Sequence, residues 1–153
     1  MTAELIEPAT SGPEHASRIA ALRAKMSENG ISAAAFASPE TVYYLTGLDH
    51  LGYFAFTMLV VPLRGRPALI TRMMERPTIR AQVPCCVHIG VAEGARPEDE
   101  VAAVLADSAE EGALIAIEDS AMYFPPAVST GIRRQVPAAR GPRRHRCSRK
   151  PWP

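Results

Sequence analysis

The 153-residue sequence predicts one α/β domain with a mixed five- to six-stranded sheet and flanking helices. Three observations predict this class: helical and strand-like segments alternate, two adjacent strand-like segments are joined by a short turn, and the length suits one hydrophobic core. The alternation favours parallel pairing across helices, whereas the short turn adds an antiparallel hairpin. We expect a flexible leader over residues 1–13, the domain over residues 14–137, and a disordered basic tail over residues 138–153.

The first predicted helix begins at residues 11–14, where Ser-Gly-Pro-Glu combines a capping hydroxyl, a proline in the first turn and an acid near the helix N-terminus. Its apolar face is formed by residues three or four apart: His15, Ile19, Leu22 and Met26. Asn-Gly at residues 29–30 supplies a left-handed stop. A short apolar strand follows over residues 31–37, and Ser-Pro-Glu at residues 38–40 begins a second helix that ends at Gly47.

The middle of the chain carries its most hydrophobic segment, which predicts a strand over residues 53–61. A turn at residues 64–67 separates this strand from another over residues 68–72, so the two are expected to form the hairpin. A short helix interrupted by proline is predicted over residues 74–82, and a further strand over residues 86–90.

The remaining segments continue the alternation of helix and strand. Pro-Glu-Asp-Glu at residues 97–100 begins a helix that Gly112 closes, a strand follows over residues 113–117, and the last helix is predicted over residues 126–134. After Val136 the hydrophobic periodicity stops.

Composition excludes several classes of protein. The 17 basic and 16 acidic residues nearly balance, but six of the basic side chains lie in residues 138–153. That leaves a net charge of −5 on residues 1–137, since the whole chain carries +1, and argues against nucleic-acid binding by the domain. No segment has the about 18 apolar residues of a membrane helix, and the N-terminus lacks a signal-peptide pattern. We therefore expect a cytoplasmic protein without membrane contacts.

Motifs for phosphate, dinucleotide, zinc-hydrolase or serine-hydrolase chemistry are missing from the sequence. The four histidines are scattered without a second ligand at metal spacing. The adjacent Cys85 and Cys86 are expected to place one side chain inside and one outside, rather than to form a redox pair.

Two clusters of polar residues are candidates for binding. The first lies in the loop after the second helix and comprises Asp49, His50, Tyr53 and Phe54. Polar and aromatic groups on a loop between rigid elements are typical of binding sites, although they also suit a surface loop with its aromatics tucked beneath it. The second cluster, Arg72 with Glu75 and Arg76, follows the second hairpin strand and forms either part of a site or a solvated ion-pair group.

Four short segments, taken in their order along the chain, resemble those of a known domain family: residues 18–23, 30–31, 38–47 and 72–75. The most specific is Ser-Pro-Glu-Thr-Val-Tyr-Tyr-Leu-Thr-Gly at residues 38–47. Together they resemble the N-terminal domain of the creatinase, prolidase and aminopeptidase P family, the pita-bread metallohydrolases. The resemblance covers roughly residues 14–137.

The resemblance implies a non-catalytic domain that forms dimer contacts and helps shape a substrate pocket. It makes the following residues candidate substrate-binding groups: Asp49, His50, Tyr53, Phe54, Arg72 and Glu75. In the family a C-terminal domain binds two divalent metal ions (manganese, cobalt or zinc) through two aspartates, a histidine and two glutamates. In the family, a hydroxide that bridges the two metal ions attacks the scissile bond, which is often the bond that precedes a proline.

That metal-binding domain is not among these 153 residues, so we expect no catalytic residue, no metal ligand and no hydrolysis by this chain alone. A peptide or small amidino substrate would bind only together with the missing domain. Creatinase has an arginine close after the aromatic pair that corresponds to Tyr53 and Phe54. This chain has Ala55 and Phe56 at that place, which argues against creatine as a substrate. The expected partner is a second copy or a full-length homologue.

The tail over residues 138–153 is rich in Arg, Pro, Ala and Gly, whereas family members continue into a strand and a linker. This predicts a frameshifted or truncated product that ends before the metal-binding domain. Two alternatives remain open: a free-standing regulatory module that pairs with a full-length homologue, and a nucleic-acid binder that uses the basic tail. The net negative charge of residues 1–137 argues against nucleic-acid binding, and such binding would fall steeply with salt.

Overall fold

The computed structural model describes residues 12–49, 55–108, 114–118 and 124–136, and the backbone of residues 139–140. The elements in these ranges follow in chain order: α1 (Pro13–Glu28), β1 (Ile31–Phe36), α2 (Pro39–Thr46), β2 (Met58–Pro62), β3 (Ala68–Arg72), a 3₁₀ helix (Met73–Glu75), α3 (Arg76–Gln82), β4 (Val87–Val91), α4 (Pro97–Ser108), β5 (Leu114–Ile117), α5 (Pro126–Gln135) and β6 (Ala139–Arg140).

The strands form one mixed sheet in the order β4-β3-β2-β1-β5-β6. β2 lies between β1 and β3 and is antiparallel to both, and β2 and β3 form the predicted hairpin around Gly65, whose φ is 92°. β3 with β4, β1 with β5, and β5 with β6 are parallel. The mixed sheet with flanking helices confirms the predicted fold class.

The helices cover the sheet on both sides. On the α4–α5 face, Val101 and Leu105 of α4 and Ile132 of α5 pack on alternate strand residues that include Val60 and Ile70. On the α1–α3 face, helices α1, α2 and α3 pack on the other set of strand residues: Leu59, Val61 and Leu69. None of the helices in the described ranges is both long and apolar enough to cross a membrane.

Local capping explains where α2 begins and ends. The Ser38 hydroxyl accepts a hydrogen bond from the Thr41 amide at 3.2 Å, and Gly47 adopts a φ of 76° that favours glycine. These boundaries confirm the prediction. α1 begins at Pro13 as predicted, but its N-cap is Gly12 and no side chain caps it; Ser11, the predicted cap, lies outside the described residues.

Three predicted boundaries differ from the structure. β2 begins at Met58 rather than at residue 53, because its pairing with β1 and β3 starts only at Met58–Leu59. The helix predicted over residues 74–82 is a 3₁₀ turn followed by α3, whose first turn contains Pro77. β6, at Ala139–Arg140, lies within the predicted tail and pairs with β5.

Candidate functional site

A buried carboxylate holds an exposed guanidinium at the end of β3. Arg72 donates from Nε and Nη2 to Glu75 Oε1, at 3.1 and 3.0 Å. The Glu75 side chain is only 6% exposed, whereas that of Arg72 is 53% exposed. The 3₁₀ turn between them sets this spacing. Because the arginine has five N–H donors and directs two of them at Glu75, its outer edge remains able to bind a second carboxylate.

Thr71, which precedes this pair along the chain, lies on the α1–α3 face and contacts His88 of β4. His88 Nε2 is 2.9 Å from Thr71 Oγ1, and the Thr71 hydroxyl donates to the Arg72 carbonyl at 3.2 Å. The direction of the Thr71–His88 hydrogen bond depends on the tautomer of the imidazole. Nδ1 is buried and has no hydrogen-bond partner among the described residues.

Burial, followed by the positive charge of Arg76, lowers the pKa of His88 below its ordinary value of 6.5. Glu75 opposes the shift and Arg80 adds to it. The imidazole is therefore neutral near pH 7 and acts as a polar, uncharged wall of the cluster.

The predicted loop residues are placed only in part. Asp49 is exposed, and its amide donates to Gln82 Oε1 at 3.0 Å at the end of α3. Arg72 and Glu75 precede α3, whereas Asp49 contacts the last residue of this helix. The other predicted loop residues lie outside the described ranges: His50, Tyr53 and Phe54.

Two aromatic side chains that the sequence analysis did not assign to the site are exposed on α2. Tyr43 is 57% exposed and Tyr44 is 55% exposed. The Arg18 guanidinium lies 4.1 Å from the Tyr44 ring centroid and donates to the Tyr44 carbonyl at 2.7 Å. The sequence contained a signal for this exposure: Tyr43 and Tyr44 stand between Val42 and Leu45, the inward-facing residues of a short helix.

The opposite face carries an open groove of about 680 Å³ between α4 and α5. Of the polar residues that line it, Arg96 forms an ion pair with Glu98 at 2.8 Å, and the Gln135 amide donates to Asp99 Oδ1 at 2.8 Å. The Arg96–Glu98 pair also sets an exposed guanidinium (66% exposed) against a largely buried carboxylate (12% exposed), as the pair at the end of β3 does.

One further carboxylate has a structural role. Glu118, after β5, accepts hydrogen bonds from the amides of Ala37 and Ser38 at 3.0 and 2.9 Å and from the Thr41 hydroxyl at 3.0 Å. These contacts fix the beginning of α2 against the sheet, and with it the helix that carries the exposed tyrosines.

The described residues do not fit a metal centre. Within ranges 12–49, 55–108, 114–118 and 124–136, no three His, Cys, Asp or Glu side chains are grouped to hold an ion. The paired metal ions that the family resemblance implies would need such a set of ligands.

Comparisons with known proteins identify the fold. The family model of the Creatinase/Prolidase N-terminal domain matches residues 18–140. The recombinant prolidase of Thermococcus sibiricus superposes with a TM-score of 0.72 and 19% identity, over 86% of this chain and 35% of that one. The Creatinase/Prolidase N-terminal domain of an X-Pro dipeptidase from Streptococcus pyogenes gives 0.66 and 20%, over 82% of this chain and 92% of that domain.

Dipeptidase PepE of Mycobacterium ulcerans is also similar, with a TM-score of 0.58, 22% identity, and coverage of 80% of this chain and 36% of that one. No curated protein sequence matches the chain. The match thus spans about a third of the prolidase chain and of the PepE chain, and nearly all of the separate domain.

Proposed function

The chain belongs to the creatinase/prolidase N-terminal domain family, and from this premise we propose that it is the non-catalytic recognition and dimerisation domain of an Xaa-Pro dipeptidase-type hydrolase. In this proposal the chain helps to form the substrate pocket and contributes no catalytic residue. Hydrolysis would require a separate metal-binding domain of the kind that the family resemblance implies. The domain-length match to the N-terminal domain of an X-Pro dipeptidase is the observation that carries the proposal.

The polar cluster after β3 supports a recognition role. A dipeptide has a free carboxylate, and the outer edge of Arg72 presents N–H donors that suit it. Glu75 holds that guanidinium in place from the buried side. We propose Arg72 as the carboxylate-binding group and Glu75 as its positioning residue. Asp49, together with His50, Tyr53 and Phe54, is proposed to complete the pocket from the neighbouring loop.

The purified chain should not hydrolyse an Xaa-Pro dipeptide on its own. Metal-assisted hydrolysis needs ligands that hold the ion and the attacking water, and we assign those ligands to another domain. The assay measures proline release from the full chain with Mn²⁺ added, and the Thermococcus sibiricus prolidase serves as the active control. Metal-dependent release by the full chain at a rate above background would contradict the proposal.

The outer edge of β4 supports the dimerisation role. β4 is the terminal strand on this side of the described sheet. The Val87 amide donates inward to the Pro67 carbonyl at 2.8 Å, so His88 and Gly90 direct their backbone groups outward. Three apolar side chains flank this edge, with Val87 41%, Met73 43% and Met74 73% exposed. We propose that β4 pairs antiparallel with β4 of a second copy, as two-fold symmetry permits.

A charge on this edge tests the pairing. Val87→Lys should raise the dimer dissociation constant by about tenfold or more, since about 1.4 kcal/mol changes an equilibrium tenfold. Leu114→Lys is the matched control, because Leu114 is 37% exposed on β5, away from β4. Light scattering over a dilution series measures both variants. Equal effects of the two lysines, or a monomeric parent chain at high concentration, would contradict pairing through β4.

A further inference from the structure

Two thiols that the proposed function does not use lie side by side on the α1–α3 face. Cys85 Sγ and Cys86 Sγ are 3.7 Å apart and hydrogen-bonded to each other, and neither is part of a disulfide. Cys86 belongs to the buried cluster of that face, and the partly buried Cys85 packs against it. The pair therefore stands at the boundary between core and solvent, with Cys85 as the accessible member.

The backbone around these thiols is held by one side chain. Arg66 Nη2 donates to the carbonyls of Pro84 and Cys86 at 2.7 and 3.4 Å, and Arg66 Nε donates to that of Cys85 at 3.2 Å. The Cys86 amide closes the turn by donating to the Val83 carbonyl at 3.0 Å. Arg66 comes from the β2–β3 turn, so the hairpin fixes the orientation of both cysteines.

The sulfur spacing favours an atom held between the thiols over a bond that joins them directly. A disulfide needs its sulfurs at about 2.0 Å and usually has Cα atoms about 4.4–6.8 Å apart. Neighbouring residues across a trans peptide have Cα atoms only about 3.8 Å apart. A direct bond between Cys85 and Cys86 would therefore be strained, whereas a bridging thiophilic atom enlarges the ring.

We propose that Cys85 and Cys86 form a chelating dithiol site for a soft, thiophilic centre of the trivalent arsenical class. Soft centres prefer thiolate ligands, and two linked ligands bind more tightly than two separate ones. With phenylarsine oxide, two arsenic–sulfur bonds form and the arsenic–oxygen double bond breaks. The oxygen leaves as water with the two thiol protons, and no atom changes oxidation state.

The order of reaction follows from the environment of each thiol. The hydrogen bond with Cys85, and then burial, raise the pKa of the Cys86 thiol. Cys85 therefore reacts first. Once its sulfur is bonded to arsenic, the hydrogen bond that retains the Cys86 proton is lost, and Cys86 closes the ring.

The test uses the full chain with Cys147→Ser, so that Cys85 and Cys86 are the only thiols left. Intact mass spectrometry with phenylarsine oxide should show one adduct per chain, released by dithiothreitol but not by glutathione. Cys85→Ser and Cys86→Ser, both conservative, should each weaken binding by about a hundredfold or more, the gain expected from linking two ligands. An adduct that survives unchanged in either variant would overturn the proposal.

A second measurement separates a folded site from the reactivity of any adjacent cysteine pair. A ligand that prefers the native state raises the melting temperature, so phenylarsine oxide should stabilise the parent. Arg66→Ala should weaken binding by about tenfold by releasing the turn, whereas Arg64→Ala, exposed on the same hairpin turn, should not. The proposal would be overturned by any of three results: reaction only in denaturant, a lowered melting temperature with phenylarsine oxide, or equal effects of the two arginine variants.

Discussion

The two faces of the sheet differ in what they bury. The α4–α5 face is packed almost entirely with aliphatic side chains around Phe124, and its charged groups lie in an open groove. The α1–α3 face has a smaller apolar cluster that includes Cys86, and Thr71 lies on this face two residues after Leu69. The partly buried Cys85 packs against the same cluster. The two faces therefore differ in chemistry, since the α1–α3 face carries a hydroxyl and two thiols among its apolar residues.

Core truncations should show the largest contrast between the faces. Ile132→Ala on α5 should cost about 3–5 kcal/mol of unfolding free energy, because its surroundings are apolar and well packed. Ile79→Ala, on the seven-residue α3 beside the sheet edge, should cost about 2–3 kcal/mol, since that region relaxes more easily. Urea unfolding followed by circular dichroism measures both. A larger loss for Ile79→Ala would reverse the comparison.

Replacing either of two closely packed glycines with alanine extends the comparison of stability between regions. A Cβ at Gly90 would lie 2.7 Å from Met73 Sδ and 3.0 Å from the Met73 Cα, so backbone would have to move. A Cβ at Gly131 would meet only the Glu98 side chain, at 2.8 Å. Gly90→Ala should therefore cost about 2–3 kcal/mol, and Gly131→Ala about 1 kcal/mol. Thermal melts of the two variants provide the measurement, and an equal loss would contradict the rigid 3₁₀ turn beside β4.

The carboxylate that fixes α2 to the sheet should have a smaller effect. Glu118→Gln keeps an acceptor but removes the charge that binds two amides and a hydroxyl, and should cost about 1 kcal/mol. Asp107→Asn, exposed on α4, is the matched control and should change stability by less than about 0.5 kcal/mol. Hydrogen exchange should show faster opening of α2 in Glu118→Gln. Unchanged exchange there would show that α2 is held by packing alone.

The smallest expected effect is a pH dependence that originates at His88. Its folded pKa lies below the ordinary 6.5, so the unfolded chain binds more protons as the pH falls below that value. The stability contributed by the neutral ring is complete above pH 6.5 and is lost as the pH falls through the folded pKa. Of the charged groups that act on His88, Arg76 and Arg80 lower its pKa and Glu75 raises it.

His88→Asn should therefore flatten the loss of stability between pH 7 and pH 5, and Arg80→Met should flatten it in part. Melting temperatures across this range measure the slope. An unchanged slope in His88→Asn would assign the pH dependence to other groups.

Local chemistry in the sequence was sufficient to predict the elements that cap themselves. Ser38 and Gly47 bound α2, and Gly65 turns the hairpin. The start of β2 could not be placed, because a run of apolar residues continues through residues 53–61 while the strand length is set by distant partners in β1 and β3.

The same distinction applies to the candidate site. The Arg72–Glu75 pair could be predicted because its members are three residues apart. The contact between Thr71 and His88 could not, since it depends on the parallel register that sets Leu69 opposite His88. The proximity of the two thiols follows from adjacent positions, but the role of Arg66 depends on the hairpin returning to the α3–β4 connection.

Titration of the ¹⁵N-labelled full chain with an Xaa-Pro dipeptide, followed by NMR, tests most directly whether recognition resides at the polar cluster after β3. We predict weak binding, with the amide shifts of Arg72, Glu75 and His88 changing most. Arg72→Met should reduce these changes several-fold, whereas Arg96→Met, in the α4–α5 groove, should leave them intact. Shift changes confined to the α4–α5 groove, or unaffected by Arg72→Met, would contradict the account.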